Sequence, residues 1–314
     1  MWLMYHINRK TVLERAEKDT HPEDSYRTIF KTIILIVTPF IMSTFIYNFT
    51  TMLDQTIYTK VMIYGRGFLE KDVLTGYGIF SRKAVVISNI PIALATAMSA
   101  AMMPSIASSY AQGQKKETAQ LVNKVIRMTM MIAIPSAVGL IALAKPVMMM
   151  LFPQRASLDQ AAFLLAGMGI TVIFYSLSTV TNAVLQGIGK VNAPVVNAAV
   201  SLCIQAALLC VLLFTTDIGS FGLVVATIVY SFLMCMFNQM SVNRNLEVNQ
   251  DVRKTYLMPL LASAVMGIAA WAAYQGAHFV FMMAMGDGYF ANFLAAAVAL
   301  CIAAFVYAAV LIRT

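Results

Sequence analysis

Eight stretches of this chain contain no Asp, Glu, Lys or Arg, or only one. They are Thr32–Leu53, Ala84–Gln114, Met128–Ala144 (continuing past Lys145 to Phe152), Gln160–Gly189, Val191–Thr216, Ile218–Asn243, Thr255–Gly286 and Gly288–Ile312. A helix needs about 20 mostly apolar residues to cross the hydrocarbon core of a bilayer, and each run reaches or approaches that length. The apolar residues are continuous rather than alternating, which excludes the strand pattern of a membrane barrel. An all-α integral membrane protein with about eight transmembrane helices is expected. Composition agrees, because 60% of residues are hydrophobic and 11% charged, against about one quarter charged in a soluble domain. So few charges cannot clothe a water-facing surface.

The net charge of +8 raises the question of a nucleic-acid partner. The basic residues form no dense tract and no patch interleaved with aromatics, so none is expected. Their distribution describes topology instead. With a cytoplasmic N-terminus, Arg9, Lys10, Arg15, Lys18, Arg27, Lys31, Lys115, Lys116, Lys124, Arg127, Lys190, Arg244, Arg253, Lys254 and Arg313 lie inside. Lys60, Arg66, Lys71, Arg82, Lys83, Lys145 and Arg155 lie outside. That is 15 against 7, the sign of the positive-inside rule, with both termini in the cytoplasm of a multi-pass cell-membrane protein.

The basic segment around Lys115, Lys116, Lys124 and Arg127 then links the second and third helices on the cytoplasmic side. Leu121, Val125 and Met128 recur on one face of it, the pattern of a helix lying along the interface; a solvated connector is the plain alternative. Prolines 39, 91 and 135 fall inside membrane runs, where each removes a backbone donor and is expected to kink or break its helix. The four cysteines lie in apolar runs with no CxxC pair, as small hydrophobes in helix packing do.

Polar side chains within the runs fall on helix faces. The fourth run carries Thr171, Tyr175, Ser178, Asn182 and Gln186 at steps of four, three, four and four. The fifth carries Asn197, Ser201 and Gln205 at steps of four. The first carries Ser43, Thr44, Tyr47 and Asn48, with Asp54 and Gln55 at its outer end. Ahead of the second run stand Arg82 and Lys83, and Asn89 and Thr96 follow Arg82 at steps of seven. Such groups avoid lipid. They serve either hydrogen bonds between helices or a hydrated cavity for a polar ligand, and four adjacent helices with the same property favour the cavity.

Arg82 and Lys83 run against the positive-inside trend. They either snorkel to the interface or attract an anionic group such as a diphosphate; Arg82 shares its face with Asn89 and Thr96. The candidate cavity residues are therefore Arg82, Lys83, Asn89, Asn48, Asp54, Tyr175, Asn182, Gln186, Asn197 and Gln205. No paired carboxylates, P-loop, GxSxG or HExxH motif occurs, so neither catalysis nor a cofactor is expected.

The strings AMMPSIASSYAQGQ, AIPSAVGLIALAKPVMMMLFP and AVLQGIGKVNAPVVNAAVSL, with TPFIMSTFIYNFTTMLDQ, resemble the polysaccharide-exporter branch of the multidrug/oligosaccharidyl-lipid/polysaccharide flippase superfamily. Within it they resemble the MurJ-like and stage V sporulation protein B-like proteins of Gram-positive bacteria. The resemblance implies two six-helix lobes, in some branches with two extra C-terminal helices, that move lipid-linked saccharides across the membrane by alternating access. It divides this chain into residues 1–31, the end of a preceding helix and a cytoplasmic linker, 32–243, a second six-helix lobe, and 244–314, an accessory helix pair. A first lobe of six helices is then missing, and is expected on the full-length chain.

The resemblance also implies a lipid-linked oligosaccharide or lipid II-type substrate, for peptidoglycan or polysaccharide synthesis, with membrane lipids as the other partner. It makes Arg82 the candidate for a cavity arginine of lipid II flippases. Some members bind sodium in this lobe, for which Asn48, Asn197 and Thr227 offer oxygens. Two readings compete with the flippase: a multidrug cation antiporter of the same fold, which would want a buried carboxylate and has only Asp54 near, and a non-transporting membrane fragment.

Overall fold

A computed structural model gives the fold for residues 25–153, 155–246, 248, 250–286 and 288–313. The expectations for residues 1–24 lie outside the described residues, as do the side chains of Ser43, Thr44 and Tyr47. The chain divides into two compact units, Met1–Ile41 and Met42–Thr314. Of the first, the described part is helical and exposes Tyr26, Phe30 and Ile33. The second carries every contact discussed below.

The helices are α1 (Tyr26–Lys60), α2 (Glu70–Ile79), α3 (Val85–Ala111), α4 (Lys115–Ala142), α5 (Ala144–Leu151), α6 (Leu158–Gly187), α7 (Asn192–Thr215), α8 (Phe221–Asn245), α9 (Met258–Met285) and α10 (Tyr289–Arg313). Short π-helical segments follow α1 (Val61–Gly65), join α2 to α3 (Phe80–Ala84) and lead into α9 (Arg253–Leu257). No strand occurs among the described residues. Among the described residues, seven helical stretches are long and apolar enough to cross a membrane: Glu70–Ala111, Lys115–Ala142, Leu158–Gly187, Asn192–Thr215, Phe221–Asn245, Arg253–Ala284 and Tyr289–Ile312. The eighth expected run, Thr32–Leu53, lies within α1, part of whose side chains are outside the described residues.

Three boundaries differ from the sequence expectation. Charged residues do not end the helices: α1 runs past Asp54 to Lys60, and the second span starts at Glu70 rather than Ala84. Arg82 and Lys83 therefore sit in a π-helical segment well inside a continuous helix instead of at its end. Secondly, helices continue through Pro91, Pro104 and Pro135. The break comes at Leu143 (φ −111°, ψ 25°), between α4 and α5. Pro146 is the cause: it has no N–H for the Ala142 carbonyl, whereas the first turn of a new helix needs none.

The third concerns the basic segment, which is not a connector but the first turns of α4. The buried face is Val122, Val125, Ile126 and Thr129, while Met128 is exposed. Leu121 is only half-buried.

The core centres on α6. Of its apolar window 61% is buried, against 22% for α10 at the periphery. Leu164, Leu165, Val172, Val180 and Leu185 are fully enclosed. Glycines let its neighbours approach closely, as small residues do in membrane bundles. A Cβ on Gly169 would lie 2.8 Å from Ile141 Cγ1 and 3.0 Å from the Ala137 carbonyl oxygen of α4; one on Gly267 of α9 would lie 2.7 Å from Val138 Cγ1.

Helices α9 and α10 are fastened to α4 and α5 by side chains that bond main-chain carbonyls. The Tyr274 hydroxyl donates to Asn292 Oδ1 (2.7 Å), and Asn292 Nδ2 donates to the Pro146 carbonyl (3.2 Å). The Tyr289 hydroxyl donates to Met150 O (3.0 Å), in the last turn of α5, where carbonyls lack helical partners. The Tyr307 hydroxyl donates to Met131 O at 2.7 Å. Met131 is four residues before Pro135, so its carbonyl has no helical N–H to accept. Tyr307 supplies the missing donor, which is how α4 passes its proline without an orphaned acceptor.

Candidate functional site

Side chains from five helices and one π-helical segment meet in a cavity of about 90 Å³ within the second unit. Helix α1 contributes Thr51 and Asp54, α2 Tyr77, the π segment Phe80 and Ser81, α3 Asn89, α6 Tyr175 and α8 Thr227. The Tyr77 hydroxyl donates to Thr51 O (3.3 Å), tying α2 to α1. Tyr175 stacks obliquely on Tyr230 of α8, centroids 6.0 Å apart. The volume suits several water molecules rather than a sugar.

Asp54 is the principal revision. Expected at the outer end of a span, it is instead 8% exposed and packed among helices. Gln205 Nε2, on α7, donates to both carboxylate oxygens, at 2.9 and 3.0 Å. Gln205 is itself 1% exposed, and its Oε1 has no hydrogen-bond partner among the described residues. Since α1 continues for six residues beyond Asp54, neighbouring helices enclose a residue that the run of hydropathy had placed at an edge. Burial of a carboxylate is costly unless it is hydrogen-bonded, and the bidentate Gln205 contact meets part of that cost.

Arg82 and Lys83 separate by their partners. Lys83 Nζ donates to Ser157 Oγ (2.9 Å) and lies 5.4 Å over the Phe152 ring, bracing the π segment against the loop before α6. Arg82 is exposed and makes no hydrogen bond or ion pair among the described residues. A π-helical segment inserts a residue into the helical register and is frequent at functional sites. It also breaks the seven-residue step from Arg82 to Asn89. Asn89 lines the cavity, while Thr96 is exposed with its hydroxyl donated to Ile92 O (3.1 Å).

The remaining polar positions are brought together differently. Asn197 Nδ2 donates to Asn238 Oδ1 (2.9 Å) and Ser241 Oγ (3.1 Å), and Asn238 Nδ2 donates to Ser178 Oγ (3.4 Å). This ladder links α7, α8 and α6. Gln186 Nε2 donates to Asn182 Oδ1 within α6 (3.1 Å). Thr171 and Ser201 are fully buried and bond the backbone of their own helices. Asn48 is exposed. The expected polar faces therefore serve both purposes: Asp54, Asn89 and Tyr175 meet at the cavity, Gln205 reaches it through Asp54, and Asn197 binds helix to helix.

Asn238 and Ser241 were not anticipated. Their signal was present, because Thr227, Ser231 and Asn238 stand at steps of four and seven on one helix face.

Of the three residues offered for sodium, Asn197 donates its Nδ2 to Asn238 of α8, the Thr227 hydroxyl donates to Leu223 O (2.7 Å), and Asn48 is exposed. Among the described residues no group of three His, Cys, Asp or Glu is placed to hold a metal. All four cysteines are free thiols.

Comparison with known proteins bears on this arrangement. A solved structure, "Lipid II flippase MurJ, inward closed conformation", superposes with a TM-score of 0.60 at 16% identity, over 97% of this chain and 58% of that one. At that identity the likeness is one of fold. Lipid II flippase MurJ of Bacillus subtilis (strain 168) is 26% identical over 272 residues, which cover 85% of this chain and 49% of that protein. The chain thus spans about half the length of that relative. The family model "MurJ: Lipid II flippase MurJ" matches residues 30–287. The chain belongs to the lipid II flippase MurJ family.

Proposed function

We propose that this chain is one half of a flippase that carries a lipid-linked saccharide, of the lipid II type, across the cell membrane by alternating access. Residues 32–243 form a six-helix lobe and 244–314 an accessory pair; a first lobe of six helices completes the transporter. Both termini face the cytoplasm, consistent with the Lys and Arg distribution.

One observation supports the reading: Arg82, exposed and making no hydrogen bond or ion pair among the described residues, stands on a π-helical segment whose Phe80 and Ser81 line a polar cavity with Asp54, Asn89 and Tyr175. An arginine held there offers paired N–H donors to a diphosphate. The cavity itself, at about 90 Å³, is too small for a sugar. The saccharide would therefore occupy the larger space between this lobe and the first, with the cavity residues as its polar wall. Conversely, Lys83 has a structural task, since it bonds Ser157.

In the full-length protein, Arg82→Ala is expected to reduce translocation of lipid-linked precursor far more than Lys83→Ala. Wild-type transport in both variants would remove Arg82 from the mechanism. A cation-coupled multidrug antiporter is the second reading, and the burial of Asp54 favours it. It predicts cation-dependent drug efflux that Asp54→Asn abolishes; the flippase reading predicts no such efflux.

A further inference from the structure

We propose that the groove between α4 and the start of α9 holds the phosphate of an anionic phospholipid, on the side of the membrane faced by the Lys- and Arg-rich loops. The groove encloses about 480 Å³ and lies away from the cavity described above. Its charged lining is Lys124 and Arg127 from α4 with Lys254 and Asp251 from the segment leading into α9. Three cations against one carboxylate leave a net charge of +2 (3 − 1). Asp251 is drawn toward Lys254, but only at 3.8 Å. Lys124 and Arg127 form no ion pair among the described residues.

The sequence orders these groups by depth. Lys124, Arg127, Met128 and Met131 stand at steps of three, one and three, one face of a helix. The face thus passes from ammonium through guanidinium to thioether over two turns. On the facing wall Lys254 is followed at steps of three and four by Leu257 and Leu261. Apolar side chains beside and below the cations are turned outward: Met128 is 42% exposed, Ile132 36%, Leu257 49% and Leu261 60%. A basic rim above an exposed apolar wall, formed by two membrane-spanning helices, matches a headgroup phosphate with its acyl chains beneath.

Single lysines at a membrane edge snorkel to water and require no ligand. Here cations from two elements converge on one groove, and their mutual repulsion is relieved by an anion between them. Basic pockets between helices recognise anionic headgroups on this principle. The inference does not depend on the proposed transport, because none of these residues belongs to the proposed transport cavity.

The test uses the full-length protein, delipidated in detergent and offered equal amounts of phosphatidylglycerol and phosphatidylcholine, with bound lipid counted by native mass spectrometry. The unaltered protein should retain phosphatidylglycerol with a preference of about tenfold or more, from two net charges near the surface. Lys124→Gln/Arg127→Gln/Lys254→Gln should bring the preference below about twofold, and a control bearing Lys71→Gln and Lys190→Gln should leave it unchanged. Lys254→Gln alone, at an exposed position, should lower it about threefold and serves if the triple variant does not fold. Retained preference in the folded triple variant, or in the single variant where it is the one used, overturns the proposal. So does release of the lipid by millimolar inorganic phosphate, which would mark a site for the free anion.

Discussion

The hydroxyl of Tyr307 offers a prediction whose sign as well as size follows from the structure. Pro135 cannot donate to the Met131 carbonyl, and Tyr307 does so at 2.7 Å from a neighbouring helix. Tyr307→Phe keeps the ring and removes only that donor. An unsatisfied buried acceptor costs about 1–3 kcal/mol, and hydrogen bonds between membrane helices average about 0.6 kcal/mol with a maximum near 1.7. Tyr307 and Met131 are half-buried, so a loss of about 1 kcal/mol is expected. Pro135→Ala restores an N–H four residues after Met131, giving the carbonyl a partner within α4.

In that background Tyr307→Phe should cost close to nothing. The assay is a double-mutant cycle on unfolding in detergent micelles, where independent sites add within about 0.3–0.5 kcal/mol. A coupling of about 1 kcal/mol is therefore measurable. Additive effects would refute the claim that Tyr307 stands in for the missing proline donor.

Four further outcomes are expected. Gln205→Ala should destabilise by about 2–3 kcal/mol, because it strips two hydrogen bonds from a buried carboxylate; replacing both Asp54 and Gln205 by Leu should recover most of that loss in the same unfolding assay. Gly169→Ala should cost about 1–3 kcal/mol by overpacking, since its Cβ meets the Ala137 carbonyl at 3.0 Å. Gly78→Ala, with nothing within 4 Å of its Cβ, should be neutral or stabilise by up to about 1 kcal/mol. Lys83→Ala should lower stability while leaving transport near wild type, read as a fall in unfolding midpoint, because its ammonium braces the segment before α6.

Much of this fold was legible because charge-free runs of bilayer length have few alternatives to membrane helices. The helix ends were not. Asp54 and Lys83 bounded the hydropathy runs, but a helix continues wherever its backbone remains bonded, and helical backbone extends across both. The break at Leu143 had a readable cause in Pro146, yet Pro91 and Pro135 presented the same symptom without a break. What distinguishes Pro135 is Tyr307, a residue 172 positions away in sequence. Local reading does not reach such partners.

The same limit governed the polar residues. Steps of four on α7 placed Asn197 and Gln205 on one face, but their division between Asn238 and Asp54 depends on which helices stand beside α7. Arg82 stood out in the sequence because its charge runs against the positive-inside trend. The π-helical segment that carries it, with Lys83 turned to Ser157, is tertiary information.

The central claim, that this lobe serves the movement of a lipid-linked saccharide, is tested most directly by depleting the full-length protein from growing cells. The measurement is the amount of lipid-linked precursor on each leaflet of the cell membrane. The account predicts accumulation on the inner leaflet, reversed by the wild-type protein and not by Arg82→Ala. An unchanged distribution of precursor on depletion, with no other flippase active, would contradict it.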